Sequence, residues 1–316
     1  MCTAVTYKTK DHYFGRNLDL ERGYGEQVVI TPRNFPFSFR YAGNQRHHYA
    51  MIGMAAVVED YPLYFEATNE NGLSMAGLNF PRNACYGACE ADKENVAPFE
   101  LIPYLLGSCS SVEEVKARFE KLQVVHCDFS PALPVSPLHW LIADGVCAIV
   151  LECTAAGMQV YDDPFGVLTN NPGFAYHRLH VSDYMALHAD APKNRLCPKK
   201  TLERYSLGMG AMGLPGDFSS SSRFVKAVFV KENSVCDGSE KESVNQFFHL
   251  LRSVAMPKGC VVAENGDFEY TRYSCCCNTD TRVYYYTTYH NMSLRSVALQ
   301  EADLEQNALC CTPVEE

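Results

Sequence analysis

Short strand-like segments crowd the first eighty residues of this 316-residue chain, and no other feature constrains its fold as strongly. Runs rich in β-branched and aromatic residues stand between turn-forming residues, a pattern that predicts strands. The predicted strands are residues 2–9, 12–15, 27–31, 51–58, 63–68 and 73–78. We expect the second strand to reach residue 19 if it pairs with the first in a hairpin. β-Sheets are therefore expected at the centre of the fold.

Helical patterns and further strands alternate along the rest of the chain. Four helices are expected: residues 99–107, a segment opened by a capping box at Ser111 and Glu114, residues 174–189, and a segment opened by a capping box at Ser243 and Gln246. Asp144-Gly145 predicts a hairpin turn, and residues 267–276 and 282–290 predict another hairpin. Blocks of strands alternating with blocks of helices indicate the α+β class, with two antiparallel sheets and the helices outside them. A single domain is expected, since no linker or repeat divides the chain.

Composition limits the partners and the environment of the chain. A formal net charge of −10 argues against nucleic acid, whose phosphates require a surface rich in Lys and Arg. No apolar run reaches the roughly 18 residues of a membrane span, and Lys8, Lys10 and Asp11 come too early for a signal peptide. We therefore expect a cytoplasmic protein without a membrane partner, whose 15 cysteines stay reduced. Cys85 and Cys89 lack a second pair at metal-ligand spacing, so plain thiols are favoured over a zinc site and no metal is expected.

Cys2, directly behind Met1, is the first candidate for chemistry. If Met1 is removed, Cys2 begins a predicted strand and carries both a thiol and a free α-amine. A nucleophilic cysteine needs a base, and an α-amine with a reference pKa of about 7.7–8.0 can serve as one near pH 7. The alternative is a small buried side chain at the start of a strand.

Further polar residues lie in motifs that could join Cys2. Arg16 would stabilise a thiolate and Asp19 could hold an ammonium, and both fall beside Cys2 if the first two strands pair. Three more stretches combine polar side chains with turn-forming neighbours: residues 76–81 with Asn79, residues 168–172 with Asn170 and Asn171, and residues 215–224 with Arg223. Each stretch alone also fits a purely structural turn.

Together these motifs resemble the choloylglycine hydrolase family, the bile salt hydrolases and penicillin V acylases among the N-terminal nucleophile hydrolases. The resemblance covers essentially the whole chain and rests on the order and spacing of these segments: MCT, FGRNLD, EDYPLYFEATNENGLSMAGLNFP, SSVEEVK, LHWLIAD, GVLTNNP, GLPGDFSSSSRF, FFHLLRSVAMPKG and YYYTTY. It implies a four-layer αββα sandwich in one domain, residues 2–316, after removal of Met1. It also implies cofactor-free hydrolysis of a linear amide, and a homotetramer.

The resemblance assigns six catalytic residues: Cys2 as nucleophile with its own α-amine as base, Arg16 beside the thiol, Asp19 as the carboxylate that holds the amine, Asn79 and Asn170 in the oxyanion hole, and Arg223 as support for the charge network. One asparagine acts through its main-chain N–H and the other through its side-chain amide. Asn171 neighbours Asn170, so the alignment could slip by one residue; Asn170 is preferred. The implied chemistry is acyl transfer through a thioester.

Five apolar residues match those that line the steroid pocket of bile salt hydrolases: Leu18, Val58, Phe65, Phe129 and Leu133. They are expected in loop-like segments, where exposed apolar side chains tend to mark a binding surface. Asn79 also favours a bile salt hydrolase, since penicillin V acylases commonly carry tyrosine there. The expected substrate is a glycine- or taurine-conjugated bile salt, and the implied host is a gut bacterium.

Other functions fit parts of the pattern. An acylase of penicillin V or another N-acyl amide would share every catalytic residue and differ in its pocket lining. A silent relative that binds bile acids, or a structural protein, would not need the full catalytic set, which argues against that class. A lipid anchor on Cys2 is not expected, because it requires a preceding signal peptide.

Overall fold

The computed structural model describes residues 1–314, and strands dominate this part of the chain. The strands are β1 (Cys2–Lys8), β2 (His12–Leu20), β3 (Glu26–Thr31), β4 (Phe37–Phe39), β5 (Gly43–Gln45), β6 (Met51–Val58), β7 (Tyr61–Asn69), β8 (Ser74–Asn79), β9 (Glu94–Val96), β10 (Leu122–Val124), β11 (Leu138–Ala143), β12 (Ala148–Thr154), β13 (Gly157–Asp162), β14 (Val167–Leu168), β15 (Val261–Val262), β16 (Phe268–Asn278), β17 (Val283–Thr288), β18 (Arg295–Ala298) and β19 (Cys310–Pro313). The α-helices are α1 (Leu101–Ser108), α2 (Val112–Phe119), α3 (Phe174–His180), α4 (Ser220–Asn233) and α5 (Glu240–Ser253).

A seven-stranded antiparallel sheet carries the start of the chain. Its order is β14-β1-β2-β16-β17-β18, with β15 also paired to β16. β1 and β2 form the expected hairpin, in which Cys2 lies opposite Leu18. On its other side, β1 pairs Ala4 with Leu168 of β14. Continued by two residues, that register brings Cys2 opposite Asn170, so Cys2 begins an inner strand with neighbours on both sides.

An eight-stranded antiparallel sheet packs against the first, in the order β13-β12-β11-β8-β7-β6-β3-β19. Its strands are apolar on both faces: Val28 and Ile30 belong to one buried cluster and Val29 to a second. The first cluster fills the space between the sheets and continues under α4 and α5. The second lies between the eight-stranded sheet and α1 with α2. The layers are therefore helix, sheet, sheet and helix, which confirms the predicted α+β class and the αββα arrangement.

Close approach of two strands depends on Gly15 in β2. A Cβ atom at this position would lie 2.0 Å from the main-chain oxygen of Cys275 in β16. β2 also runs to Leu20, which confirms the extension expected from the hairpin. The predicted hairpin at Asp144 is present, but four residues join its strands, because the Asp144 carboxylate accepts from the main-chain nitrogens of Val146 and Cys147.

The helix predictions are partly wrong. The helix expected over 174–189 is α-helical only from Phe174 to His180 and ends in a 3-10 turn. Ser239, rather than Ser243, caps α5, since its hydroxyl accepts from the main-chain nitrogen of Glu242 at 3.4 Å. Ser243 lies inside the helix and is buried.

Helix α4 was not predicted, because its serine-rich start follows Pro215 and Gly216 and has the composition of a turn. The structure shows that Ser219 caps it, accepting from the main-chain nitrogen of Ser222 at 3.4 Å. This helix packs on β1 and carries Arg223 towards Cys2. The helix that the sequence did not predict is thus the one that brings Arg223 to the site.

Candidate active site

The main chain of Cys2 is fixed by two side chains. Its nitrogen donates to Asn170 Oδ1 at 2.8 Å, and its oxygen accepts from Arg223 Nη1 at 2.5 Å. The residue is 2 % exposed. Met1 precedes it, and the Met1 amine donates to the main-chain oxygen of Asp19 at 2.8 Å. Removal of Met1 would convert a nitrogen already held in place into an amine.

The Arg223 side chain reaches from α4 to Cys2, the first residue of β1, and donates hydrogen bonds to several acceptors. Nη1 also donates to Thr3 Oγ1 at 2.5 Å, and Nη2 donates to Asn170 Oδ1 at 2.7 Å. Burial lowers the pKa of the guanidinium, while Asp19 and Cys2 oppose that shift. The residue remains a cation, since an arginine pKa lies far above neutrality.

Asp19 lies near the start of β1, and one of its carboxylate oxygens accepts no hydrogen bond from the described residues. Oδ1 accepts from Thr271 Oγ1 at 2.6 Å. Oδ2 is buried without a hydrogen-bond partner among the described residues and lies 3.9 Å from Arg223 Nη1. This oxygen is an unused acceptor that could receive a hydrogen bond from an ammonium at Cys2, and the role of Asp19 in holding the amine stays a prediction.

Arg16 faces the opposite side of β2, towards the eight-stranded sheet. Nη1 donates to the main-chain oxygens of Phe65 at 3.0 Å and Gly77 at 2.6 Å. Nη2 is buried and has no hydrogen-bond partner in residues 1–314. Burial opposes its charge, but Cys2 and other ionisable neighbours, Glu66 among them, raise the pKa of Arg16. A free donor is thus held on a permanently charged group next to Cys2.

Glu66, which sequence reasoning missed, is the buried carboxylate that faces Arg16. Its Oε2 lies 3.8 Å from Arg16 Nε and accepts from the Tyr273 hydroxyl at 2.7 Å. Oε1 accepts from the Tyr284 hydroxyl at 2.6 Å. Burial raises the pKa of Glu66, and Arg16 and the tyrosines oppose the shift. The available signal was an acidic residue in the middle of the strand predicted over residues 63–68.

The asparagines are placed differently from one another. Asn79 ends β8, and its main-chain oxygen accepts from Asn170 Nδ2 at 2.8 Å. An amide nitrogen carries two hydrogens, so Asn170 retains one that can be donated to an oxyanion. Asn171 donates instead to the main-chain oxygen of Pro81 at 2.7 Å. The structure therefore brings Asn170, and not Asn171, to Cys2.

A cavity of about 500 Å³ ends at three of the predicted catalytic residues, Cys2, Arg16 and Asn79. Asp19, Asn170 and Arg223 do not line it; their contacts lie around the main chain of Cys2. One side of the site thus faces the cavity and the other holds the nucleophile.

All five predicted pocket residues line this cavity: Leu18, Val58, Phe65, Phe129 and Leu133. The expectation that they lie in loops is wrong for the first three, which belong to β2, β6 and β7. Alternation along these strands directs the side chains into the gap between the sheets. Sequence reasoning missed several further lining residues: Leu20, Arg22, Tyr24, Phe99, Ile102, Leu138 and Trp140.

The described part of the chain contains neither a cluster of metal-ligating side chains nor a helix that could span a membrane. Among residues 1–314, no three His, Cys, Asp or Glu side chains converge as a metal site. Cys85 and Cys89 are exposed. No helix in the same range is long and apolar enough to cross a bilayer.

An αββα sandwich with a cysteine at the start of an inner strand defines the N-terminal nucleophile hydrolase class. A family model described as "Linear amide C-N hydrolases, choloylglycine hydrolase family" matches residues 2–312. The chain belongs to this family of amide hydrolases.

Individual relatives agree with this assignment over their full lengths. The chain is 51 % identical over 314 residues to a "Bile salt hydrolase/transferase" of Lactiplantibacillus plantarum, covering 99 % of this chain and 97 % of the relative. It is 37 % identical to a "Conjugated bile acid hydrolase" of Lactobacillus gasseri, covering 98 % and 99 %. The crystal structure of the C2A mutant of a conjugated bile acid hydrolase from Clostridium perfringens superposes with a TM-score of 0.91 at 32 % identity, covering 100 % and 97 %.

Proposed function

We propose that this chain hydrolyses the amide bond of glycine- or taurine-conjugated bile salts. The observation that carries the proposal is the apolar cavity of about 500 Å³ that ends at Cys2, Arg16 and Asn79. A rigid sterol presents a wide apolar surface, and its side chain ends in the amide to be cleaved. Such a substrate would place its rings against Val58 and Phe129 and its carbonyl beside the thiol. The names of the relatives support the same substrate class.

The first half of the reaction forms a thioester. After removal of Met1, the α-amine of Cys2 takes the thiol proton, and Sγ attacks the amide carbonyl. The oxyanion receives hydrogen bonds from the Asn170 amide and the main-chain N–H of Asn79. The C–N bond then breaks, and the α-ammonium gives its proton to the departing glycine or taurine nitrogen.

The second half regenerates the enzyme. Water attacks the thioester carbonyl while the α-amine accepts one of its protons, and Sγ departs with that proton. Asp19 offers its free oxygen to the ammonium form of the amine. Burial favours the neutral amine, as it does at Met1, whose amine pKa is lowered by burial. A neutral amine near pH 7 is the form that can act as a base.

Amine release from glycocholate, taurocholate and penicillin V tests the proposal. Cys2→Ser should abolish release, whereas Cys109→Ser, at an equally buried cysteine between α1 and α2, should retain it. Intact mass should show the loss of Met1. Preference for penicillin V would keep the mechanism and refute the substrate; a fully active Cys2→Ser variant would refute the mechanism.

We further propose a cytoplasmic homotetramer. Apolar side chains stand exposed along residues 196–207, including Leu196 at 91 % and Leu207 at 93 %. Exposed apolar clusters of this kind often mark contacts between subunits. Light scattering on the wild type and on Leu196→Ser with Leu207→Ser should give a tetramer and a smaller species. A monomeric wild type would refute the proposal.

A further inference from the structure

The chain leaves the seven-stranded sheet two residues before Asn170, and hydrogen bonds from side chains there replace strand pairing. β14 ends at Leu168. The main-chain oxygen of Asn170 accepts from His177 Nε2 at 2.9 Å, and its main-chain nitrogen donates to Ser220 Oγ at 2.8 Å. The preceding oxygen, of Thr169, accepts from the His139 ring at 2.9 Å. Side chains from β11, α3 and α4 therefore hold this segment.

The side-chain torsions of Asn170 are fixed by other contacts. Oδ1 accepts hydrogen bonds from two donors, the Cys2 nitrogen and Arg223 Nη2. A 180° rotation of the amide would place its NH₂ group against these two donors, so the observed orientation is fixed. Nδ2 must then point towards the main-chain oxygen of Asn79. Because the orientation of the amide is fixed in this way, the position of Nδ2 relative to Cys2 depends on the position of the Asn170 main chain.

We propose that Ser220 and His177 are positioning residues that hold the main chain of Asn170, so that its amide meets the oxyanion. The inference rests on the proposed function, in which Asn170 is an oxyanion donor. Ser220 is suited to the task because its hydroxyl accepts from Asn170 and donates to Thr169 Oγ1 at 2.9 Å. Both of its hydrogen-bonding directions are thereby used.

His177 can hold Asn170 in only one tautomer. Nε2 must carry a proton to donate to a carbonyl oxygen, and Nδ1 is buried without a partner among residues 1–314. The ring stacks on Phe224, with centroids 4.9 Å apart and planes at 15°. The neutral Nε2–H form fits this site, and packing against α4 keeps its proton aimed at Asn170.

Ser220→Ala tests the proposal against a matched control, Ser222→Ala. Both serines are 8 % exposed and lie in the first turn of α4, but the Ser222 hydroxyl donates to Asp217 at 2.6 Å and does not touch Asn170. Loss of one oxyanion donor costs on the order of 10²–10³ in rate, so a displaced donor should lower kcat about 10- to 100-fold in Ser220→Ala. The KM of Ser220→Ala, and the activity of Ser222→Ala, should stay within about twofold of the wild-type values. Ser220→Thr should recover part of the lost kcat.

Alkylation of Cys2 by iodoacetamide separates positioning from general damage. That reaction displaces iodide at a tetrahedral carbon and forms no oxyanion, so its rate in Ser220→Ala should match the wild type. His177→Phe, which retains stacking and removes the donor, should likewise lose kcat and keep its alkylation rate. Equal kcat in Ser220→Ala and Ser222→Ala, or a joint fall of kcat and alkylation, would overturn the inference. A wild type that releases no amine would instead refute the proposed function.

Discussion

Arg223 holds Cys2 by the main-chain oxygen, at 2.5 Å from Nη1, and not by the thiol. The same guanidinium reaches Asn170 Oδ1 with Nη2 at 2.7 Å. A planar group with parallel donors can bridge two fixed acceptors in this way. The contact leaves Sγ unencumbered on the side that faces the cavity, where Arg16 also lies.

Replacement of Arg223 by lysine should therefore reduce kcat by about 100-fold, because a single ammonium cannot hold both acceptors in place. Steady-state kinetics on a conjugated bile salt would measure the loss. Arg82→Lys is the control, since Arg82 is exposed and pairs with Glu264 at the surface. A value of kcat within twofold of the wild type in Arg223→Lys would contradict the bridging role.

Truncation of Phe129 should weaken substrate binding without harming the nucleophile. Its ring lines the cavity and lies edge-on to Phe99, with centroids 5.2 Å apart. Removing a half-buried aromatic contact of this kind costs roughly 1–3 kcal/mol, so KM in Phe129→Ala should rise about 5-fold or more. The alkylation rate of Cys2 should not change. Val146→Ala, at a 91 % exposed site in a hairpin turn, should retain wild-type KM; an unchanged KM in Phe129→Ala would remove that residue from the pocket.

Two buried histidines should make the protein sensitive to acid. Burial lowers the pKa of His12 and of His177 to about 4 each. In the unfolded chain a histidine binds its proton near pH 6.5, so the unfolded state takes up more protons between about pH 6.5 and 4. The contribution of these two histidines to the free energy of unfolding should thus be complete above about pH 6.5 and should fall as the pH drops towards 4.

Urea unfolding across that range would measure the effect. His177→Phe should show a shallower loss of stability on acidification than the wild type. His249→Gln, at an exposed position of α5, should keep the wild-type slope. An identical slope in His177→Phe would show that this ring does not contribute.

Gly15→Ala should prevent the normal pairing of β2 with β16. The added methyl group would lie 2.0 Å from the oxygen of Cys275, and the strands can relieve this overlap only by separating. We expect a loss of several kcal/mol, about 3 or more, visible as a lower melting temperature or insoluble protein. Gly216→Ala is the matched control, because a Cβ there meets no atom within 4 Å. A normal melting temperature in Gly15→Ala would contradict the packing described for these strands.

Local patterns predicted the parts of this fold that depend on neighbouring residues. The β1–β2 hairpin follows from strand propensity and a short turn, and with it the placement of Arg16 and Asp19 near Cys2. Helix α4 was missed because its capping serines have the composition of a turn, and the helix is stabilised by packing on β1.

The supports of the site were harder to foresee, since they join distant segments. Glu66 receives its hydrogen bonds from Tyr273 and Tyr284, more than 200 positions away. Asn170 is held by Ser220, 50 positions away. No local periodicity links such residues. The catalytic set was predicted through the order of motifs shared with a family, while its supporting contacts required the three-dimensional structure.

The site is divided between the two sheets. Apart from Asn79, the proposed catalytic groups belong to the seven-stranded sheet, its β14 extension and α4, whereas much of the cavity wall comes from β6, β7 and the loop that carries Phe129 and Leu133. Substitutions in the wall can therefore accumulate without moving the reacting atoms. Such a layout favours the evolution of new acyl preferences, and it suggests that a combinatorial library confined to the wall would alter selectivity while sparing turnover.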